Sequence, residues 1–322
     1  MNLSEFQSSL AVFLHQFVQY KQALNRKYRT EAAALRLFDC YLCDHNVVGW
    51  EAIDSALISD FVKSRPRTRP RSYNHLLGVL HRFFAFAIMQ QWTKWNPVAE
   101  KPHRNTGNRT PYLFDLNDAK RLLAVARSLP SRPQAPHRGL VYETAFALLY
   151  GLGLRIGEVA RLRLGDCDLI RNILFIRDTK FCKSRFVPMG PNLAQRLKRY
   201  VEERHGMSHD PEQPLFSFTK RGCIHENAIC QTFHRLVPKL NLHIPPGVSP
   251  PRVHDLRHAF AVSTLLRWYR EGIDPNCRLM HLATFLGHVD PKSTAVYLTI
   301  TDDLLKEAAK RFQVLAPKRG VL

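Results

Sequence analysis

Apolar residues recur at helical spacing through the first ninety positions of the chain. Phe6, Leu10, Phe13, Leu14, Phe17 and Val18 share one face of a first helix. Thr30 reads as the N-cap of a second, which carries Leu35, Phe38 and Leu42. A short third helix covers residues 55–63. A fourth places Leu76, Leu77, Leu80, Phe83, Phe84, Phe86 and Ala87 on its inner side. These stripes are wide enough to build a core. Helical patterns return at residues 116–126 and at 141–150, the latter stopping at Gly151. Residues 173–177 and 186–189 are short, apolar runs with β-branched and aromatic side chains, as a β-hairpin requires. Helices dominate from there onward. The expected class is α+β, mainly α with a small β-sheet.

Two polar stretches interrupt this pattern. Residues 96–111 (NPVAEKPHRNTGNRTP) are rich in Pro, Asn, Gly and basic side chains. They predict a helical domain over residues 1–100, a linker over 101–111 and a second domain over 112–322. The other stretch runs from Arg65 to Arg71 as RPRTRPR. Two prolines argue against helix there, and four cations argue against burial. Arg65, Arg67, Arg69 and Arg71 are therefore expected on an exposed loop that contacts nucleic-acid phosphates.

Charge gives that expectation its partner. The 322 residues carry 47 Lys and Arg against 27 Asp and Glu, a formal net charge of +20 with a pI near 10.0. Residues 1–111 hold 15 basic and 8 acidic side chains, and the remainder 32 and 19. Both halves are basic, which suits a clamp on a polyanion better than a single basic tail does. A 45% hydrophobic content excludes a disordered chain. The 7 cysteines are an odd number without framework spacing, and they read as reduced thiols of a cytosolic protein. Cys40 and Cys43 lie within a helical pattern and read as core or half-buried thiols. Cys223, His225 and Cys230 lack a fourth ligand at zinc spacing. The first ten residues show no basic n-region of a signal peptide. No run approaches the ~20 apolar residues of a membrane span.

The candidate chemistry is spread over more than half of the chain. Arg155 lies in GLGLRIGEVARLRL, His254 and Arg257 in HDLRH, His288 in LGH, and Tyr297 in STAVYL. A set of cations and donors with one phenol suits pentavalent phosphorus, whose equatorial oxygens carry charge, with in-line attack by the phenol. Gly151 and Gly153 place Arg155 at a helix N-terminus, where backbone N–H groups also favour an anion. Glu158, one turn on, is placed to orient it. His254 and Arg257, at i and i+3, share a helix face. Asp274 as N-cap, Pro275 at the first helical position and Gly287 just past the end set His288 beyond a helix terminus. Asp290-Pro291 opens a short helix that carries Tyr297.

Taken in this order, with Tyr297 nine residues after His288, these motifs resemble the tyrosine recombinase (phage-type integrase) family. The likeness covers about Thr110 to Leu305 well and the N-terminal part by layout alone. It implies an N-terminal helical core-binding domain and a catalytic domain that close on duplex DNA as a C-shaped clamp. It implies that Tyr297 forms a 3′-phosphotyrosyl link, that Arg155, His254, Arg257 and His288 stabilise the phosphate, and that no cofactor is used. Aligning TKFCKSRFVPM on the family pattern makes Lys180 the general acid for the leaving 5′ oxygen, with Lys183 as the alternative. The family works as a homo-tetramer on two duplexes through a Holliday junction. The stripe Leu304, Leu305, Ala308 and Phe312 fits a tail helix that docks into a neighbouring protomer. A mobile genetic element is the implied home. A type IB topoisomerase shares this active-site logic, but the small N-terminal part argues against it. A catalytically silent DNA-binding protein would need a broken residue set. The stretch between HDLRH and LGH runs several residues longer than the usual family form.

Overall fold

Four helices build the N-terminal part: α1 (Ala11–Ala23), α2 (Arg29–Asp44), α3 (Ser55–Ser64) and α4 (Pro70–Met89). The structure is a computed structural model that describes residues 6–104, 110–177, 184–206, 210–218, 222–288, 292–295 and 297. The chain divides into two compact units, residues 1–108 and 109–322.

In the first unit, Phe17, Phe38, Phe61, Phe83 and Phe84 are essentially solvent-free. Their rings meet edge-on or tilted, with Phe38 and Phe61 at 5.1 Å and Phe17 and Phe83 at 5.6 Å between centroids. Helix α1 starts later than its apolar stripe suggested. The buried Asp39 carboxylate of α2 accepts from the backbone N–H groups of Gln7 and Ser8 at 2.8 and 3.1 Å. Those donors are thereby drawn away from a helical turn, although Leu10 is still buried. Helix α2 begins at Arg29, with Tyr28 in the left-handed region at φ 46°, so Thr30 is a helical residue and not the cap. Cys40 is exposed on α2 and Cys43 is half-buried.

The basic stretch departs from its expectation. Pro70 is the first residue of α4 and Arg71 the second, because a proline at that position lacks only an N–H that the helix could not use. Arg65 and Arg67 are half-buried, and the Arg67 guanidinium donates to Ser72 Oγ at 3.0 Å. Arg69 and Arg71 are exposed. The chain after α4 runs back along it. The Asn74 side chain pairs with both backbone groups of His103 at 2.8 Å each, and the Tyr73 and His103 rings stack at 3.9 Å.

The second unit is built around α6 (Arg138–Leu152), which is buried on all sides, as an apolar helix without a polar face must be. Helices α5 (Leu116–Arg127), α8 (Pro191–His205), α9 (Glu226–Leu236) and α10 (Val253–Arg270) complete its core with α6. Helix α6 passes through Gly151 and stops at Gly153, whose φ of 59° is the left-handed turn. A second core joins α10 to α11 (Pro275–Leu286), with Ala261, Leu265, Leu282, Leu286 and Tyr297 packed together. The short helix α12 (Lys292–Ala295) follows α11. Between HDLRH and LGH, α10 continues to Arg270 and the chain turns at Gly272.

The described sheet has three antiparallel strands in the order β1 (Cys167–Asp168), β2 (Ile173–Ile176), β3 (Arg185–Pro188). Leu174 pairs with Val187, and both face the core. Strand β3 therefore opens on Arg185, one residue earlier than its apolar run suggested. Lys180 and Lys183 lie outside the described residues.

Candidate active site

Arg155 is the residue before α7 (Ile156–Ala160), a helix of a single turn. So short a helix has little macrodipole, and hydrogen bonds position the side chain instead. Glu158 accepts from the Arg155 backbone N–H at 2.9 Å and from its guanidinium Nη1 at 2.7 Å. The orienting carboxylate expected from the sequence is in place, and Arg155 precedes a helix as expected.

Three arginines converge on the end of α11. Its terminus is a Schellman turn: His288 N–H donates to the Ala283 carbonyl at 2.8 Å and Gly287 N–H to that of Thr284 at 3.0 Å. The next three carbonyls in sequence are each taken by a guanidinium. Phe285 O accepts from Arg185 Nε at 2.8 Å, Leu286 O from Arg257 Nη2 at 2.7 Å and Gly287 O from Arg155 Nη2 at 2.7 Å. Arg257 also donates through Nη1 to the Gly153 carbonyl at 2.7 Å. It ties the end of α6 to the end of α11 from a position only 1% exposed. The left-handed backbone of Gly287, at φ 68°, makes room for this. A Cβ there would lie 2.7 Å from Arg185 Nη1.

Among the described residues, Glu158 is the carboxylate at the centre of the cluster. Arg185 forks onto it, Nη1 to Oε1 at 3.0 Å and Nη2 to Oε2 at 2.9 Å. Burial pushes this carboxyl up, but hydrogen bonds and charge from Arg185, then Arg155, outweigh it and hold it at about 2. Arg257 sits at about 10, lowered first by burial and then by the charge of Arg155.

The remaining residues close the site. His288 follows the turn and pairs through Nδ1 with the hydroxyl of buried Thr294 at 2.6 Å. Desolvation, then the charges of Arg257, Arg155 and Arg185, hold it at about 4. His254 lies in the first turn of α10, and desolvation of its ring, then the charges of His258, Arg257, Arg252 and Arg155, lower its titration to about 4. Tyr297 is 4% exposed. Burial raises its phenol, and the charge and hydrogen bond of Arg257 oppose that rise. Its ring lies 6.3 Å from that of His288 and 5.4 Å from that of His258. His258 in turn meets His254 edge-on at 4.7 Å, and its Nδ1 is buried without a partner. The fold thus brings Arg155, His254, Arg257, His288 and Tyr297 together. Arg65, Arg67, Arg69 and Arg71 belong to the other compact unit. Among the described residues, no group of three or more His, Cys, Asp or Glu side chains is placed to hold a metal ion. His225 instead caps α9.

Residues 113–303 match the phage integrase family. The chain is 32% identical over 304 residues to the putative integrase/recombinase y4rB of Sinorhizobium fredii, covering 93% of this chain and 96% of that one. The chain belongs to the phage integrase family. It is a tyrosine recombinase, a site-specific DNA strand-transferring enzyme. The tyrosine recombinase XerA of Pyrococcus horikoshii is 24% identical over 94% of each chain. The fold is that of the Tn1549 transposon integrase solved in complex with a circular intermediate DNA, at a TM-score of 0.66 and 18% identity over 96% of this chain and 100% of that one. A lambda integrase tetramer solved bound to a Holliday junction matches at a TM-score of 0.63 and 16% identity, over 92% of this chain and 78% of that one.

For this tyrosine recombinase, the motif reading missed one participant, Arg185. It reads as one more cation of the TKFCKSR segment, and nothing local marks it. Its partners lie 27 and 100 residues away. The neighbouring SRFVP pattern could at most have placed it at the start of an inward-facing strand.

Proposed function

We propose that Tyr297 is the nucleophile that attacks a DNA phosphate, forming a 3′-phosphotyrosyl link and releasing a 5′-hydroxyl. The hydroxyl of one strand then attacks the link on a partner strand, so each broken phosphodiester is replaced by another. Arg155 and Arg257 present guanidinium donors to the equatorial oxygens. His254 and His288, neutral near pH 7, hydrogen-bond the same oxygens or handle the tyrosine proton. Lys180 protonates the leaving 5′ oxygen. The observation that carries this reading is one buried phenol beside two arginines and two histidines drawn from separate elements.

Double-stranded recombination sites are the substrate, and Arg65, Arg67, Arg69 and Arg71 contact their phosphates. A homo-tetramer assembles on two duplexes through the C-terminal tail and passes through a Holliday junction. Related structures solved with transposon DNA and with a Holliday junction support this assembly, and the mobile-element home with it. No helix among the described residues is long and apolar enough to cross a membrane, and we place the protein on the nucleoid.

The test is a covalent-complex assay on the DNA that flanks its own gene. The wild-type chain is expected to form a denaturant-resistant adduct whose DNA-linked peptide contains Tyr297. Tyr297→Phe should bind the DNA equally and form none. An adduct mapped to another tyrosine would overturn the assignment.

A further inference from the structure

We propose that Arg185 is a positioning residue for strand cleavage: it holds Glu158 ionised and the α11 terminus in place, so that Arg155 and His288 meet the phosphate correctly. The proposal rests on the reading of Arg155 and His288 as phosphate-binding groups. Three of the five Arg185 N–H donors point into the protein, two to Glu158 and one to the Phe285 carbonyl. Its side chain is only 10% exposed. Its guanidinium is directed at Glu158 and at the end of α11.

Two features make its role more than packing. The first is that Glu158 is shared. Each of its oxygens accepts one bond from Arg155 and one from Arg185, so the two cations compete for and stabilise one carboxylate. Among the described residues, the charged and titratable groups that face Glu158 are Arg155 before α7, Arg185 on β3, Arg257 on α10 and His288 after α11. Burial alone would favour a neutral carboxyl there. Without Arg185 the strongest opposing influence is gone, and a protonated Glu158 would no longer hold the Arg155 guanidinium by charge. The second feature is mechanical. Arg185 and Arg155 bind carbonyls two residues apart, Phe285 and Gly287, on either side of the Leu286 carbonyl held by Arg257. His288 is the next residue. Releasing Phe285 O frees the turn that aims the histidine, and misplacement by about 1 Å can cost ~10²-fold in rate.

The experiment measures single-turnover formation of the covalent complex across pH 5–9, with DNA binding measured by gel shift, for the wild type and three variants. Arg185→Met is expected to bind DNA as the wild type does, to cleave about tenfold to hundredfold more slowly, and to gain an acid limb, with the rate falling as pH falls. Arg185→Lys keeps a charge but not the fork. It should cleave slowly without the acid limb. Arg185→Met combined with Glu158→Gln should be slow and also lack the limb, because no carboxyl remains to titrate. Unchanged cleavage by Arg185→Met, or a loss of binding that matches its loss of rate, would overturn the proposal. So would an acid limb that persists in the double variant. If Arg185→Met does not fold, Arg185→Lys decides alone: a rate and pH profile equal to wild type would sink the idea. A wild-type chain that forms no tyrosyl adduct would instead refute the underlying reading.

Discussion

Gly287→Ala adds one methyl group at the most crowded turn of the site. Gly287 has a φ of 68°, and an ideal Cβ would lie 2.7 Å from Arg185 Nη1, 3.0 Å from its Cζ and 3.3 Å from Arg155 Nη1. The left-handed backbone costs an alanine roughly 1–2 kcal/mol. The clash adds to this. Arg185 cannot retreat without lengthening its bonds to Glu158 and Phe285 O, and losing one charge-assisted bond costs about 1.5–3 kcal/mol. The total is about 2.5–5 kcal/mol, which at ~2–4 °C per kcal/mol for a unit of this size lowers the melting midpoint by roughly 5–20 °C. Cleavage should fall by on the order of 10²-fold, since the same shift moves Arg155 and His288. Gly272→Ala is the matched control. Gly272 has a φ of 80° with nothing within 4 Å of its added Cβ, so it meets the backbone cost alone. Calorimetry of the full chain and single-turnover cleavage measure both effects. If Gly287→Ala melts and cleaves as Gly272→Ala does, the three-arginine seat does not set this turn.

Arg155→Ala and Arg257→Ala should each slow cleavage by ~10²–10³ through lost transition-state donors. Arg257→Ala should also melt lower, because the Gly153 and Leu286 carbonyls lose their buried partner, and rates within twofold of wild type would remove either residue from the site. The depressed titration of His288, about 4 against an ordinary 6.5, sets a pH window. The unfolded chain takes up a proton below 6.5 and the folded site does not until about 4, so stability is full above 6.5 and declines as pH falls between the two values. Melting curves at successive pH values should show that decline and a shallower one in His288→Gln; identical slopes would contradict the assignment. Lys180→Ala should be rescued by a 5′-bridging phosphorothiolate, which leaves without a proton; rescue of Lys183→Ala instead moves the general acid by three residues. Deleting residues 303–322 should leave single-site binding intact and abolish synapsis, and a truncated chain that still recombines would refute tail exchange.

Much of this protein was legible from residue order alone. Periodicity located α3 and α5, and it marked α1, α2 and α4 to within a few residues, because an amphipathic stripe is a local signal. Local punctuation also placed α11: Asp274 caps it, Pro275 opens it and Gly287 ends it. The five candidate residues that the fold brings together stood out in the sequence through the motifs that carry them. What the tertiary structure decided is where non-local partners compete with local rules. The start of α1 depends on Asp39, some thirty residues away, taking the donors of Gln7 and Ser8. Gly151 could have ended α6, but the chain turns at Gly153, whose carbonyl Arg257 holds from 104 residues downstream. Arg185 is the clearest case. In the sequence it is one cation among many in a basic chain. Only folding brings it to a buried carboxylate and to a helix-end carbonyl without an intrahelical partner, groups that must find donors once water is removed.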